Sequence, residues 1–269
     1  MKFEIQQEKL QEMLEKMVLK DICPSCIFCV KKDVLFSIQK DSHARALRFF
    51  KCNKNYFKSF SAEETDKPFE IADMNQFLDM VKKHEAGKTV TCYVEGNNLF
   101  FESMIGDEKE GLDPRKSSVP IQEPDSVIEK LPIEMDENGV PSISAGEDES
   151  VVMDKWCIID LARFRSFVEF ANPVKTEFFK FWFEDGKIKA EVRDLKMPTA
   201  PGNVDKLKGT IKNGKNLEVI FTYGIHQIAE SFTKKEFSVR TNTHSPGWFY
   251  EGDNTYTYGV LLPPYTQEE

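Results

Sequence analysis

The side chains best suited to chemistry in this sequence are its six cysteines and four histidines. Cys23-Pro-Ser-Cys26 has the spacing that opens a zinc site or a redox motif. A structural zinc site needs a second pair of ligands at a matching interval. Neither Cys29 nor Cys52 supplies one, Cys92 and Cys157 stand alone, and His43, His84, His226 and His244 are scattered. The cysteines therefore read as small apolar fillers of strands, and neither a metal nor a cofactor is expected. Nucleophile and phosphate-loop patterns are missing as well: there is no GxxxxGK[ST], no GxSxG and no HExxH. The paired carboxylates Asp148-Glu149 lie in a strongly acidic stretch and read as solvated. No catalytic residue is assigned, and an enzyme is not expected.

What remains is charge, and its distribution matters more than its sum. The formal net charge is -9 over 269 residues. Between Gly106 and Asp154 there are 14 acidic and 4 basic residues, against 31 acidic and 32 basic elsewhere. The body of the chain is thus near neutral and can still present a basic face if its charges are segregated. The first 20 residues carry a charge every few positions and have no signal-peptide core. No run of apolar residues is long enough to span a bilayer, so a soluble, intracellular protein with no membrane partner is expected.

The elements that must position those charges follow from periodicity. Met1–Gln6 alternates as a half-buried strand. Leu10, Met13, Leu14, Met17 and Val18 then form one stripe of an amphipathic helix, broken at Pro24. Cys26–Ile38 and Ala44–Lys51 read as strands joined near Lys40–Ser42, and Pro68–Ala72 as a shorter one. Asp73 and Gln76 have the form of a capping box for a second helix with Met74, Phe77, Leu78 and Val81 inward. Lys82 and Lys83 fall in its last turn, and a hairpin around Gly96-Asn97 follows.

From Gly106 to Ser150 the prolines and acids mark a connector, with short extended pieces such as Ser117–Ile121. The pattern then restarts. Trp156–Asp160 reads as a strand, and Asp160 caps a helix bearing Leu161, Phe164, Phe167, Val168 and Ala171. Hairpins turn at Asp185-Gly186 and Asn213-Gly214. A fourth helix carries Ile225, Ile228, Ala229 and Phe232 and runs to Lys234-Lys235, before strands at Phe237–Thr241 and Tyr256–Leu262. Met74, Phe77, Leu78 and Val81 map onto Ile225, Ile228, Ala229 and Phe232 at a constant offset of 151. This is an internal repeat of an α+β unit with two helices on one face of antiparallel sheet. The expected division is 1–105, an acidic connector over 106–153, and 154–269.

This order of elements resembles the DNA sliding clamp family, which includes the proliferating cell nuclear antigens and the T-even bacteriophage clamp. The pieces that carry the resemblance are FEIQQEKLQEMLEKM, FEIADMNQFLDMVKK followed by TVTCYVEGNNLFFES, LEVIFTYGIHQIAESFTKK and the terminal GVLLPPY, with Asp41-Ser42-His43 between strands. The connector KSSVPIQEPDSVIE looks more like the phage type. The resemblance implies a two-domain clamp fold that closes head to tail as a homotrimeric ring around duplex DNA. Its implied partners are a DNA polymerase, a clamp loader and other clamp-binding peptides, and its implied role is that of a processivity factor. The alternative is a clamp-fold subunit of a heteromeric or non-closing assembly that acts as an interaction platform.

On that resemblance, the helices line the hole. The DNA-facing candidates are then Lys9, Lys16 and Lys20 on the first helix, Lys82 and Lys83 on the second, Arg163 and Arg165 on the third, and Lys234 and Lys235 on the fourth. Phosphate contacts of this kind carry no sequence information and are salt-sensitive. Taken singly, each lysine reads as an ordinary solvated residue; the recurrence of Lys-Lys at corresponding helix ends favours the phosphate role. Glu8, Glu12 and Glu15 interleave with the lysines of the first helix, a departure that makes this helix less favourable toward DNA than in related proteins. The resemblance also implies an apolar groove for partner peptides, walled by His43, Ala44, Ala46, Val127, Ile128, Leu262, Pro263 and Tyr265.

Overall fold

A computed structural model describes residues 1–18, 24–40, 46–63, 66–105, 113–130, 132–144, 150–171, 178–193, 203–221, 225–243 and 245–264. The chain divides into two compact units. The first comprises Met1–Gln39, Arg48–Glu129 and Gly252–Tyr258, and the second Lys40–Leu47, Lys130–Glu251 and Gly259–Glu269.

The first unit begins with β1 (Lys2–Gln6), which runs directly into α1 (Gln7–Val18). The alternation of β1 buries Phe3 and Ile5, and the stripe of α1 buries Leu10, Met13, Leu14, Met17 and Val18. Then come β2 (Cys26–Lys31), β3 (Val34–Lys40), β4 (Leu47–Asn53), a single 3-10 turn at Lys54–Tyr56, β5 (Ser59–Ser61) and β6 (Phe69–Ile71). The stretch expected as one strand over Cys26–Ile38 is a hairpin, because Lys32-Asp33 interrupts the apolar run and Val34 pairs back with Lys31. Helix α2 (Met74–Lys82) is capped as expected, the Asp73 carboxylate accepting from the Gln76 amide at 2.8 Å.

Strands β7 (Thr89–Glu95), β8 (Asn98–Ile105) and β9 (Asp113–Pro120) complete a five-stranded antiparallel sheet in the order β5-β1-β7-β8-β9. In a second set, β4, β3, β2 and β6 are neighbours in that order. Two prolines, Pro114 and Pro120, lie in β9. That is tolerable because β9 is the edge of its sheet, where one side of the backbone needs no ladder partner.

In the second unit, β10 (Ile133–Met135), β11 (Pro141–Ser144) and β12 (Ser150–Val152) form a small three-stranded sheet. Part of the expected connector is therefore structured. Its strands are only three or four residues long and Pro141 opens one of them, so composition alone concealed it. Next come β13 (Lys155–Asp160), α3 (Leu161–Ala171), β14 (Phe178–Glu184), β15 (Lys187–Arg193), β16 (Asn203–Leu207), β17 (Gly209–Asn213), β18 (Leu217–Phe221), α4 (Ile225–Ser231), β19 (Glu236–Thr241) and β20 (Gly247–Gly252). One sheet runs β16-β15-β14-β18, and β17, β13, β19 and β20 are neighbours in that order. The last strand, β21 (Tyr256–Leu262), gives Tyr256–Tyr258 to the first unit and the rest to the second.

The β14–β15 turn has Asp185 and Gly186 both at positive φ, 50° and 69°, which matches the twist of a tight hairpin. Gly209 has a different role: a Cβ there would run into the carbonyl of Ile158 on β13, so glycine lets the two strands approach. The core of this unit is aromatic. Phe164 of α3 and Phe232, just past α4, each lie 5.0 Å from the ring of Phe237 on β19. The α+β expectation holds: among the described residues there are four α-helices, and the strands pair antiparallel.

Candidate nucleic-acid interface

The expected basic residues fall into two groups, those committed to the protein and those at its surface. Lys16 is the clearest departure. Its side chain is 1% exposed, its ammonium lies 2.7 Å from Glu12 Oε1, and the rings of Tyr256 and Tyr258 are 5.2 and 5.7 Å away. A phosphate cannot reach it, so its assignment as a DNA contact is withdrawn. Lys9 donates to the Tyr56 carbonyl at 3.0 Å and rests 4.4 Å from the centre of that ring. With both lysines drawn in, the outer face of α1 presents Glu8, Gln11, Glu12 and Glu15.

Arg165 is also committed. Its Nε donates to the Ala229 carbonyl at 2.7 Å and its Nη2 to the Phe232 carbonyl at 2.6 Å, filling orphan acceptors at the end of α4. The first unit solves the same problem with Gln7, whose Nε2 donates to the Val81 carbonyl near the end of α2 at 3.1 Å. In both units a side chain of the first helix thus closes the C-terminus of the second.

Lys82, Lys83, Arg163 and Lys235 are exposed, and Lys234 is half-buried. Helix α4 ends at Ser231, three residues before Lys234, so the lysine pair lies beyond the helix, unlike Lys82-Lys83 at the end of α2. What holds the segment is the buried Glu251 carboxylate, which accepts from the amides of Thr233 and Lys234 at 2.9 Å each.

Around the start of α3 the backbone draws basic residues together. The Asp160 carboxylate accepts from the Arg163 amide at 2.9 Å, capping the helix as expected. The Asp160 amide donates to the Lys208 carbonyl and the Leu161 amide to the Lys235 carbonyl, both at 2.9 Å. Lys208 Nζ is 3.6 Å from Asp160 Oδ2 while remaining 77% exposed. The Arg163 amide, and then the Lys208 and Lys235 charges, hold the Asp160 carboxyl below its ordinary value. Lys208 escaped the sequence reading because it lies between two strands, far from any helical stripe.

Of the expected peptide-groove residues, Ala46 and Leu262 are buried and Pro263 is exposed. Val127 and Ile128 are half-buried, and Val127 lines a hollow of about 470 Å³ in the first unit together with Cys29, Val30, Phe36 and Pro68. Lys20, His43, Ala44 and Tyr265 lie outside the described residues, as do Cys23 and His244. Among the described residues, no group of three or more His, Cys, Asp or Glu side chains could hold a metal ion, and no helix is long and apolar enough to cross a membrane.

Two α+β units, each containing a strand that runs into the first helix of a pair, define the DNA clamp fold. Solved structures place the fold more narrowly, with that of the proliferating cell nuclear antigens. The chain is similar to the protein of that name from Entamoeba histolytica, with a TM-score of 0.77, 9% identity and 98% of both chains covered. It is similar to that from Thermococcus kodakaraensis, with a TM-score of 0.73, 14% identity and coverage of 98% and 99%. It also resembles the A. fulgidus protein bound to the C-terminal region of FEN-1, with a TM-score of 0.71, 13% identity and coverage of 100% and 99%. No protein-family model and no curated protein matches the sequence. The likeness is one of fold, carried by packing pattern at identities too low to carry residue roles.

Proposed function

We propose that this chain is a subunit of a DNA sliding clamp, a non-enzymatic processivity factor that encircles duplex DNA and tethers a polymerase to it. The observation that carries this reading is the match of almost the whole chain, both repeats included, to clamp structures of the same length. Exposed Lys82, Lys83, Arg163 and Lys235 on or beside the helices suit a sequence-independent phosphate contact. Two sheet edges suit ring closure: β9 ends the five-stranded sheet of the first unit and β16 the four-stranded sheet of the second. An unpaired edge is a template for another chain, and a head-to-tail contact closes when its rotation permits.

On this reading the chain forms a homotrimer, is loaded by an ATP-driven loader, and binds short partner peptides. The FEN-1 segment bound to the A. fulgidus protein is an example of such a peptide. The peptide groove is proposed for His43, Ala44, Ala46, Val127, Ile128, Leu262, Pro263 and Tyr265. The division at 1–105, 106–153 and 154–269 is retained as the working domain scheme.

The deciding experiment is stimulation of a cognate polymerase on circular and linear primed DNA, together with the solution mass. Retention on circles, loss from linear ends and a trimeric mass support the reading. A monomer at micromolar concentration, with no difference between circles and linear DNA, overturns it.

A further inference from the structure

We infer that a lysine-lined hollow at the end of β16 receives the acidic segment 107–113 of a second copy of this chain, and that this contact sets the direction in which the two sheet edges pair. The inference rests on the clamp reading, in which β9 and β16 are the edges that meet. It adds a site which that reading leaves unassigned, and the chemistry of its ligand. The hollow, of about 410 Å³, lies in the second unit beside the β14–β15 turn and the link from β16 to β17. Lys187, Lys206 and Lys208 line it, all three exposed, and no carboxylate is among the described residues of its wall. Gly186, at a φ of 69°, and Gly209, which has no room for a Cβ beside the Ile158 carbonyl, contribute backbone without side chains.

Strand register gathers these cations. Ile188 pairs with Leu207, which carries Lys187 and Lys208 to one end of the sheet and sets Lys206 opposite Lys189. Like charges facing each other across strands repel and favour an anion among them. Lys189 has Glu184, and Lys208 has Asp160 at 3.6 Å, but an ammonium carries three donors and can hold a second carboxylate. The place of the hollow selects the ligand. It adjoins β16, an edge of its sheet, so the anion that reaches it is one brought by a strand pairing there. β9, the edge of the other sheet, starts at Asp113, and residues 107–113 hold four carboxylates against the single Lys109. The far end of β9 runs on through the uncharged Pro120-Ile121-Gln122. Antiparallel pairing, the arrangement of both β8–β9 and β15–β16, brings the start of β9 to the end of β16 and the acids to the lysines. Parallel pairing would set the acids beside Asn203 and leave Pro120 at the hollow. Complementary charge of this kind fixes register and rejects wrong pairings.

The test is a charge-swap cycle on the full chain, read as solution mass against protein concentration and salt. Lys187→Glu with Lys206→Glu reverses the hollow and leaves the Lys208–Asp160 contact in place. Asp107→Lys with Glu108→Lys and Glu110→Lys reverses the segment. Each set alone should weaken self-association by about tenfold, and added salt should weaken the parent in the same direction. Both sets combined in one chain restore opposite charges at every contact and should recover most of the parent's association. Thermal melting confirms that each chain is folded, and Lys187→Gln with Lys206→Gln serves if the reversal unfolds it. A folded hollow variant that assembles like the parent overturns this inference and leaves the clamp reading intact. So does a combined chain no better than the separate sets, or a hollow variant of unchanged mass that has lost affinity for inorganic phosphate or a short duplex, since the hollow then serves another anion. A parent that is monomeric at micromolar concentration overturns both.

Discussion

Lys16 and Glu12, one helical turn apart on α1, form an ion pair of 2.7 Å in which the lysine is 1% exposed and the glutamate 36%. The pair is thus half in the protein and half in water. Aromatic rings of Tyr256 and Tyr258 flank the ammonium, so part of its lost hydration is replaced by ring electrons. Breaking a fully buried pair costs about 3–5 kcal/mol; because Glu12 keeps contact with solvent, Lys16→Ala should cost about 1–3 kcal/mol. Lys16→Met retains the stem and should cost less. Urea unfolding of both variants checks the order, and the DNA salt slope of Lys16→Met should match the parent.

Arg165 holds the end of α4. Hydrogen bonds from a charged donor contribute about 1.5–3 kcal/mol, so Arg165→Ala should destabilise the chain by about 2 kcal/mol. Lysine lacks the planar fork that reaches two carbonyls at once, so Arg165→Lys should recover only part of this. Hydrogen exchange at the α4 amides is the local readout. Equal exchange in parent and Arg165→Ala would show that the cap does not hold the helix.

His84 sets a pH dependence. It is buried, its Nδ1 lies 2.7 Å from Ser103 Oγ, and burial, followed by the Arg115 charge, holds its imidazole below the ordinary value. The folded state therefore takes up its proton less readily than the unfolded chain. Stability from this group is intact above the unfolded value of about 6.5 and is lost as pH falls from there through the depressed folded value. Across that window the parent should lose stability faster than His84→Gln. Parallel pH profiles of the two denaturation midpoints would contradict the assignment.

The described thiols should be inert in the native protein. Cys26, Cys29, Cys52, Cys92 and Cys157 are all buried, and no disulfide joins them. Burial, with help from Glu129 and Cys26, pushes the Cys29 thiol up to about 11, and burial pushes Cys52, Cys92 and Cys157 higher still. Since the thiolate is the reactive form, thiol reagents at about pH 8 should modify these five only after unfolding. Rapid native labelling of Cys92 or Cys157 would show that the strands open locally.

Charge reversal separates surface lysines from committed ones. Lys83→Glu and Lys235→Glu should weaken polymerase retention on circular DNA without lowering the melting temperature. Lys9→Glu, whose parent donates to Tyr56, should do the opposite. A retention defect from Lys9→Glu alone would reassign the DNA face to α1.

The sequence by itself determined what depends on near neighbours. The apolar stripe of α1, the caps at Asp73 and Asp160, and the Asp185-Gly186 turn are each set within a few residues. Repetition of the α2 pattern in α4 made the two-unit architecture legible as well. Only the tertiary structure decided which cations meet solvent. Helical periodicity says where the core side of α1 lies, and Lys16 stands beside Met13 and Met17 at the stripe's margin. Whether its stem is covered depends on Tyr256 and Tyr258, some 240 residues away in sequence. Lys208 is the converse case, an unremarkable lysine between strands until backbone pairing sets it beside Asp160. The sheet of β10, β11 and β12 was hidden for another reason: each strand pairs with its neighbour in sequence, but at three or four residues they are too short for alternation to register in a proline-rich acidic stretch.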